Sequence, residues 1–145
     1  MEIIREGSVN WTGGLKDGKG AISTESGALL DYPYGFASRF EGVRGSNPEE
    51  LLGAAHAACF TMSLALTLDK IGVKADRIET TASVTLIQQS GGFTIPHIVL
   101  TSEAHIPAIE AATFQELAAE AERNCPVSKL FRAEITLVAN LAGPV

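Results

Sequence analysis

The sequence has little cysteine and little positive charge. Its two cysteines, Cys59 and Cys125, stand 66 positions apart in a chain of 145 residues. Two widely separated cysteines do not make a disulfide scaffold; in a cytosolic-looking chain they read as free, catalytic or ligating. Eleven Lys and Arg against seventeen Asp and Glu leave a net charge of −6. That balance disfavours nucleic acid as a partner, which calls for a basic face. The first residues, MEIIREGSVNW, lack a basic segment followed by an apolar one, so no secretory signal is read there, and a cytoplasmic protein is expected. The longest apolar-looking stretch, Leu51 to Leu68, is interrupted by His56, Thr61, Ser63 and Thr67 and followed by Asp69 and Lys70. It reads as a buried helix, not a membrane span. With no repeats, linkers or low-complexity tracts, a single domain over 1–145 is expected.

Apolar residues make up 46 % and charged residues 19 % of the chain, a composition that excludes disorder. A chain of this length buries roughly two-thirds of its unfolded surface. Its core therefore needs neither metal nor disulfide staples.

The first third is turn-rich. TGGLKDGKG carries a hairpin signal at Asp17-Gly18. Strands are expected over Ile3–Trp11, Gly20–Thr24 and Ala28–Tyr32. FASRFEG alternates, which predicts a weak strand with Arg39 on its polar side. In GSNPEELL a helix begins: Ser46 or Asn47 caps, Pro48 suits the first helical position, and Glu49 and Glu50 favour the positive end. It should run to about Ile71 and stop at Gly72. RIETTASVTLIQQ alternates as a strand, with Ile78, Thr80, Ala82, Val84 and Leu86 on one face. Gly91-Gly92 turns the chain into a second strand, in which Pro96 marks an edge or bulge. A helix over about Ala108–Asn124, a short helix after Pro126 and a final strand in EITLVANL complete an α+β arrangement.

Cys59 has two readings. Free cysteine is among the most buried residue types, so it can be simple filling. It can also be a nucleophile, in which case it needs a cation from elsewhere, because mid-helix it gains nothing from a helix N-terminus. Cys125 precedes Pro126 and so sits at a helix cap, where the dipole favours a thiolate. His56 and Cys59 share a helical face and, with Cys125 and His97 or His105, could form a mixed nitrogen–sulfur metal site. The absence of C-x-x-C and H-E-x-x-H weakens that reading.

Together, GSNPEELLGAAHAACFTMSLAL (Gly45–Leu66) and ERNCPVSKLF (Glu122–Phe131) resemble the osmotically inducible protein C / organic hydroperoxide resistance family. The resemblance covers nearly the whole chain. It implies antiparallel sheets around long central helices in an intertwined homodimer. It also implies a thiol peroxidase without cofactor or metal that reduces organic hydroperoxides. In that scheme Cys59 attacks the peroxide and becomes a sulfenic acid, and Cys125 condenses with it to a disulfide. An external dithiol then reduces the disulfide; a lipoyl-bearing protein is the carrier the family suggests. An arginine activates the thiolate and a glutamate, matched by Glu49, positions the arginine. In one branch the arginine follows Gly-Gly; here Leu15 stands there, so the resemblance points to the osmotically inducible branch and to Arg39 in SRFEG, with Arg44 the weaker candidate. A dimeric hydrophobic-ligand or stress-associated binding protein with incidental thiols is the alternative.

Helix geometry adds a constraint. Glu49 and Cys59 are ten residues apart on one predicted helix, about 15 Å of rise. Either that helix is broken or a second chain supplies one group. Gly53, Ala54, Ala57 and Ala58 surround the midpoint and are small enough for a twin helix to approach. An isologous homodimer with composite active sites is therefore expected, in which Glu49 of one chain meets Cys59 of the other.

Overall fold

A computed structural model of the chain describes residues 1–107 and 109–131. It is an α+β arrangement of seven strands and four helices among the described residues. The backbone divides into two compact units. One comprises Met1–Ala55 with Thr81–Leu100, the other His56–Thr80 with the chain from Thr101 onward.

In the first unit, β1 (Gly7–Thr12), β2 (Lys19–Thr24) and β3 (Tyr32–Tyr34) form an antiparallel sheet. The turn signal at Asp17-Gly18 lies in the β1–β2 connection. Gly20 is required in β2: a Cβ there would fall 2.2 Å from the Tyr34 ring, which meets Trp11 edge-on. The third strand starts later than Ala28, because Ser26 and Thr24 draw the N–H groups of Ala28 and Leu29 into a turn.

The expected strand at FASRFEG is instead a short helix, α1 (Phe36–Phe40). Phe36 and Phe40 share a face in either conformation, being four apart, so alternation over five residues could not separate the two. Ser38 decides it locally. Its hydroxyl accepts the Gly35 N–H and donates to the Ser46 carbonyl, each at 2.9 Å. The Phe36 and Phe40 rings pack at 4.9 Å, and Phe40 stacks on Phe93 of the β5–β6 hairpin at 4.8 Å.

Helix α2 (Pro48–Lys70) begins and ends close to its predicted limits and is unbroken. Asn47 is the residue that caps it, its side chain accepting the Glu50 N–H at 2.8 Å. Gly72, at φ 71°, follows its end. Gly53 is buried against the chain's own strand, 3.0 Å from the Ala82 carbonyl at the position of an added Cβ. Its small size therefore serves β4, while Ala54, Ala55 and Ala58 are exposed.

The strands β4 (Arg77–Val84) and β7 (Ile98–His105) pair, and each alternates between half-buried and exposed positions as its sequence predicts. β5 (Ile87–Gln89) and β6 (Gly92–Thr94) form a hairpin across Ser90-Gly91. Pro96 falls in the break between β6 and β7.

In the second unit, α3 (Ala111–Asn124) starts three residues later than expected, and α4 (Pro126–Leu130) follows. The expected final strand lies outside the described residues. Phe60, Leu64 and Leu68 recur at helical spacing on α2 and are buried, as are Ala121 and Cys125. The Ser63 hydroxyl donates to the Ala121 carbonyl at 2.8 Å, tying α2 to α3. Thr61, Thr80 and Ser102 form a hydroxyl chain from α2 to β4 and β7, at 2.8 and 3.0 Å. By length and composition α2 could cross a membrane, but a third of its most apolar window (33 %) is buried inside the protein, and its polar side chains bond to neighbouring elements. Leu64 is 0 % exposed, so Leu64→Ala should lower unfolding stability by about 2–5 kcal/mol, read by urea denaturation. A loss below about 1 kcal/mol would show that this position is not the well-packed centre of the second unit.

Candidate active site

The structure gathers the four predicted site residues into two pairs, one in each unit. In the first unit, α1 turns Arg39 toward the start of α2. Its Nη2 lies 2.6 Å from Glu49 Oε1, and its Nε lies 3.2 Å from both carboxylate oxygens. Glu49 is buried, whereas Glu50 is exposed. This separates the two acidic residues, which as a pair at a helix start could both have been simple dipole charges. Arg44 is exposed and, among the described residues, pairs with no carboxylate. The Arg39 guanidinium also lies 5.3 Å from the centre of the Phe40 ring. Its side chain is 34 % exposed, so the ion pair adds little stability; its consequence is a guanidinium held in one orientation.

In the second unit, both cysteines are free thiols. Cys59 is half-buried on α2. Cys125 is fully buried and serves as the N-cap residue of α4, as Pro126 predicts. The two thiols are near enough that each shifts the other's proton affinity. Burial pushes the Cys59 thiol up, the Val127 N–H pulls against it, and the neighbouring Cys125 adds to the rise. Burial pushes Cys125 up as well, but the Ser128 N–H, the Cys59 thiol, the Ser128 hydroxyl and the Val127 N–H outweigh it and bring Cys125 below its ordinary value. The two thiols titrate as a pair, and the surroundings of Cys59 favour its neutral form unless a cation approaches.

Cys59 also lines an open cavity of about 590 Å³, together with Ala58, Met62, Leu66, Lys70 and Asn124. Its wall is mostly apolar. Met62 and Leu66 belong to it, whereas Phe60 is turned into the core.

His56 is buried and bonds within its own chain, Nε2 to Ser128 Oγ at 2.8 Å. Ser128 was not singled out from the sequence. The signal was present: it stands three residues after the cap residue Cys125, where a side chain reaches back to the cap. The scattered metal ligands are not brought together. Among the described residues no group of three His, Cys, Asp or Glu side chains is placed to hold a metal ion. His97 lies by Thr85, and His105 by Glu103.

A family model described as OsmC-like protein matches residues 41–140. The chain belongs to the OsmC-like family. The matched span contains Glu49, Cys59 and Cys125, and Arg39 lies just ahead of it. Among relatives in the family, Peroxiredoxin OsmC of Escherichia coli (strain K12) is 51 % identical over 137 residues, which are 94 % of this chain and 96 % of that protein. The Organic hydroperoxide resistance protein of Xanthomonas axonopodis pv. citri (strain 306) is 33 % identical over 103 residues, 70 % of each chain. The difference in identity agrees with the branch that Leu15 indicates. The crystal structure of the Organic Hydroperoxide Resistance Protein OhrB of Bacillus subtilis aligns with a TM-score of 0.64 at 30 % identity, covering 88 % of this chain and 90 % of that one.

Proposed function

We propose that this OsmC-like protein is a soluble, cytoplasmic thiol peroxidase that reduces organic hydroperoxides to alcohols. The observation that carries the reading is a pair of free, neighbouring thiols, Cys59 and Cys125, with Cys59 lining an apolar cavity. The Cys59 thiolate attacks the O–O bond; the sulfur takes one oxygen as a sulfenic acid and the alcohol leaves. The Cys125 thiolate then attacks the Cys59 sulfur, the S–S bond forms, and the hydroxyl departs as water. A dithiol, carried by a lipoyl-bearing protein or a similar reductant, restores both thiols by exchange.

Cys59 needs a cation for the first step, because its surroundings hold the proton on it. Arg39 is the cation of this scheme, and Glu49 aims it. Glu49 and Cys59 stand ten residues apart on an unbroken helix, which favours supply of the Arg39–Glu49 couple by a second chain. Because the two are paired within one chain, a partner that delivers Glu49 delivers Arg39 with it. A homodimer with two composite sites follows, and the exposed Ala58, Met62 and Leu66 on α2 provide apolar surface for such contact.

One equivalent of cumene hydroperoxide should convert reduced protein to a Cys59–Cys125 intramolecular disulfide, read by peptide mass spectrometry. Only intermolecular bridges would remove Cys125 from the resolving role. The apolar cavity also predicts a kcat/KM for cumene hydroperoxide at least about tenfold above that for hydrogen peroxide. Equal values would count against a greasy substrate.

A further inference from the structure

His56 is a buried polar residue that the reaction scheme leaves unused. It is 6 % exposed, its ring lies 5.9 Å from that of Phe131, and among the described residues its buried Nδ1 has no hydrogen-bond partner. Its other nitrogen meets the Ser128 hydroxyl at 2.8 Å. Ser128 stands three residues after Cys125, the cap residue of the same helix, and its hydroxyl helps to lower the Cys125 thiol. The three groups thus form a line from imidazole through hydroxyl to thiol, all within the second unit.

The orphaned Nδ1 says which way the protons run. A hydrogen on Nδ1 would bury a donor with no acceptor, and would leave Nε2 to take the serine proton. With the hydrogen on Nε2, that nitrogen donates to Ser128 Oγ. Ser128 then has one proton of its own, and the sulfur of Cys125 is there to receive it. We infer that His56 is a positioning residue for the resolving step: it holds the Ser128 hydroxyl in the orientation that donates to Cys125 and so favours the attacking thiolate.

This inference rests on the two-cysteine scheme proposed above, and it assigns a step within it. When Cys125 Sγ attacks the sulfenic sulfur of Cys59, the S–S bond forms and the S–O bond breaks. The hydroxide leaves with the proton that Cys125 gave up, as water. Cys125 is oxidised and the sulfenic sulfur reduced, and no further reactant enters. Ser128 and His56 exchange no atoms; they stabilise the sulfur's charge before attack. Because charge on Cys125 also holds the proton on Cys59, weakening the line should leave the first step no slower.

The variants are His56→Leu, which removes the ring nitrogens at similar volume, His56→Gln, whose amide N–H can still donate to Ser128, and Ser128→Ala. Stopped-flow oxidation with one equivalent of cumene hydroperoxide separates sulfenic acid formation, read by a sulfenate-specific trap, from disulfide formation. Disulfide formation should slow about tenfold in His56→Leu and Ser128→Ala, and stay within about threefold of the parent in His56→Gln. Sulfenic acid formation should be unchanged or faster in all three. Thiolate absorbance near 240 nm in a Cys59→Ala background, which requires no peroxidase activity, should show Cys125 titrating at higher pH in His56→Leu than in His56→Gln. Equal rates in parent and His56→Leu, equal slowing in the leucine and glutamine variants, or parallel loss of both steps would overturn the assignment. If the parent itself neither forms a sulfenic acid nor a disulfide, the peroxidase reading fails instead, while the titration still tests the hydrogen-bonded line.

Discussion

Cys59→Ser should lose dithiol-dependent hydroperoxide turnover by at least about 10³-fold, because a serine hydroxyl offers no comparable nucleophile at neutral pH. The matching Cys125→Ser variant should behave differently. It should still consume one equivalent of cumene hydroperoxide and stop at the sulfenic acid of Cys59, trapped by dimedone and seen by mass. The two variants together divide the reaction at the disulfide. The division matters because both thiols sit in reach of each other, and the environment places the lower pKa on Cys125, not on Cys59. If Cys125→Ser lost the first equivalent while Cys59→Ser kept it, the roles of the two thiols would be reversed. Both substitutions replace sulfur by oxygen at nearly constant shape, so loss of fold is a small concern for the half-buried Cys59. For the fully buried Cys125, far-UV circular dichroism provides the control.

The second large effect concerns the Arg39–Glu49 couple. Arg39→Met should lower kcat/KM for cumene hydroperoxide by about 10²-fold at pH 7. The deficit should shrink as pH rises. The sign follows from the surroundings of Cys59: burial raises its pKa, so without the guanidinium its thiolate fraction is small at neutral pH and grows as pH climbs toward that raised value. A deficit that did not change with pH would assign Arg39 to substrate binding instead of thiolate activation. Mixing decides which chain supplies the couple. Cys59→Ser chains and Glu49→Ala chains are each expected to be inactive as homodimers. If the couple is supplied across a dimer, a heterodimer of the two holds one intact site, with Cys59 from one chain and Arg39–Glu49 from the other, and should recover up to half the activity of the parent dimer. Proven heterodimers with no recovered activity would exclude sharing. The ion pair itself is a poor stabiliser at its exposure, so the thermal midpoint should move less than the activity. Glu49→Ala is also the milder change, since Arg39→Met leaves a buried carboxylate without its partner.

Much of the local structure could be read from the chain directly. The Asn47-Pro48 start of α2, its end before Gly72, the alternation in β4 and the cap position of Cys125 all follow from rules that act within a few residues. The misreading of α1 shows where such rules lose resolution. Phe36, Ser38 and Phe40 fit a strand face as well as Phe36 and Phe40 fit a helix face, and the hydrogen bond that selects the helix reaches to the Ser46 carbonyl, eight residues beyond Ser38. The consequence for the site is direct. A strand would leave Arg39 on a solvated face; the helix turns it onto Glu49. Gly53 is a similar case: its lack of a side chain suggested a twin helix, and the contact that uses it is the Ala82 carbonyl of the same chain.

By itself the sequence determined most of the element types, the two cysteines as the candidate chemistry, and, through its two motifs, the family. Those are properties of residue type, short-range spacing and local pattern. The tertiary structure alone decided the contact no motif names, His56 with Ser128 seventy-two residues away, and the pairing of Arg39 with Glu49 inside one chain. Periodicity tells which face of an element a side chain occupies. Which face then meets which depends on packing that the backbone completes only after the chain has closed its long loops.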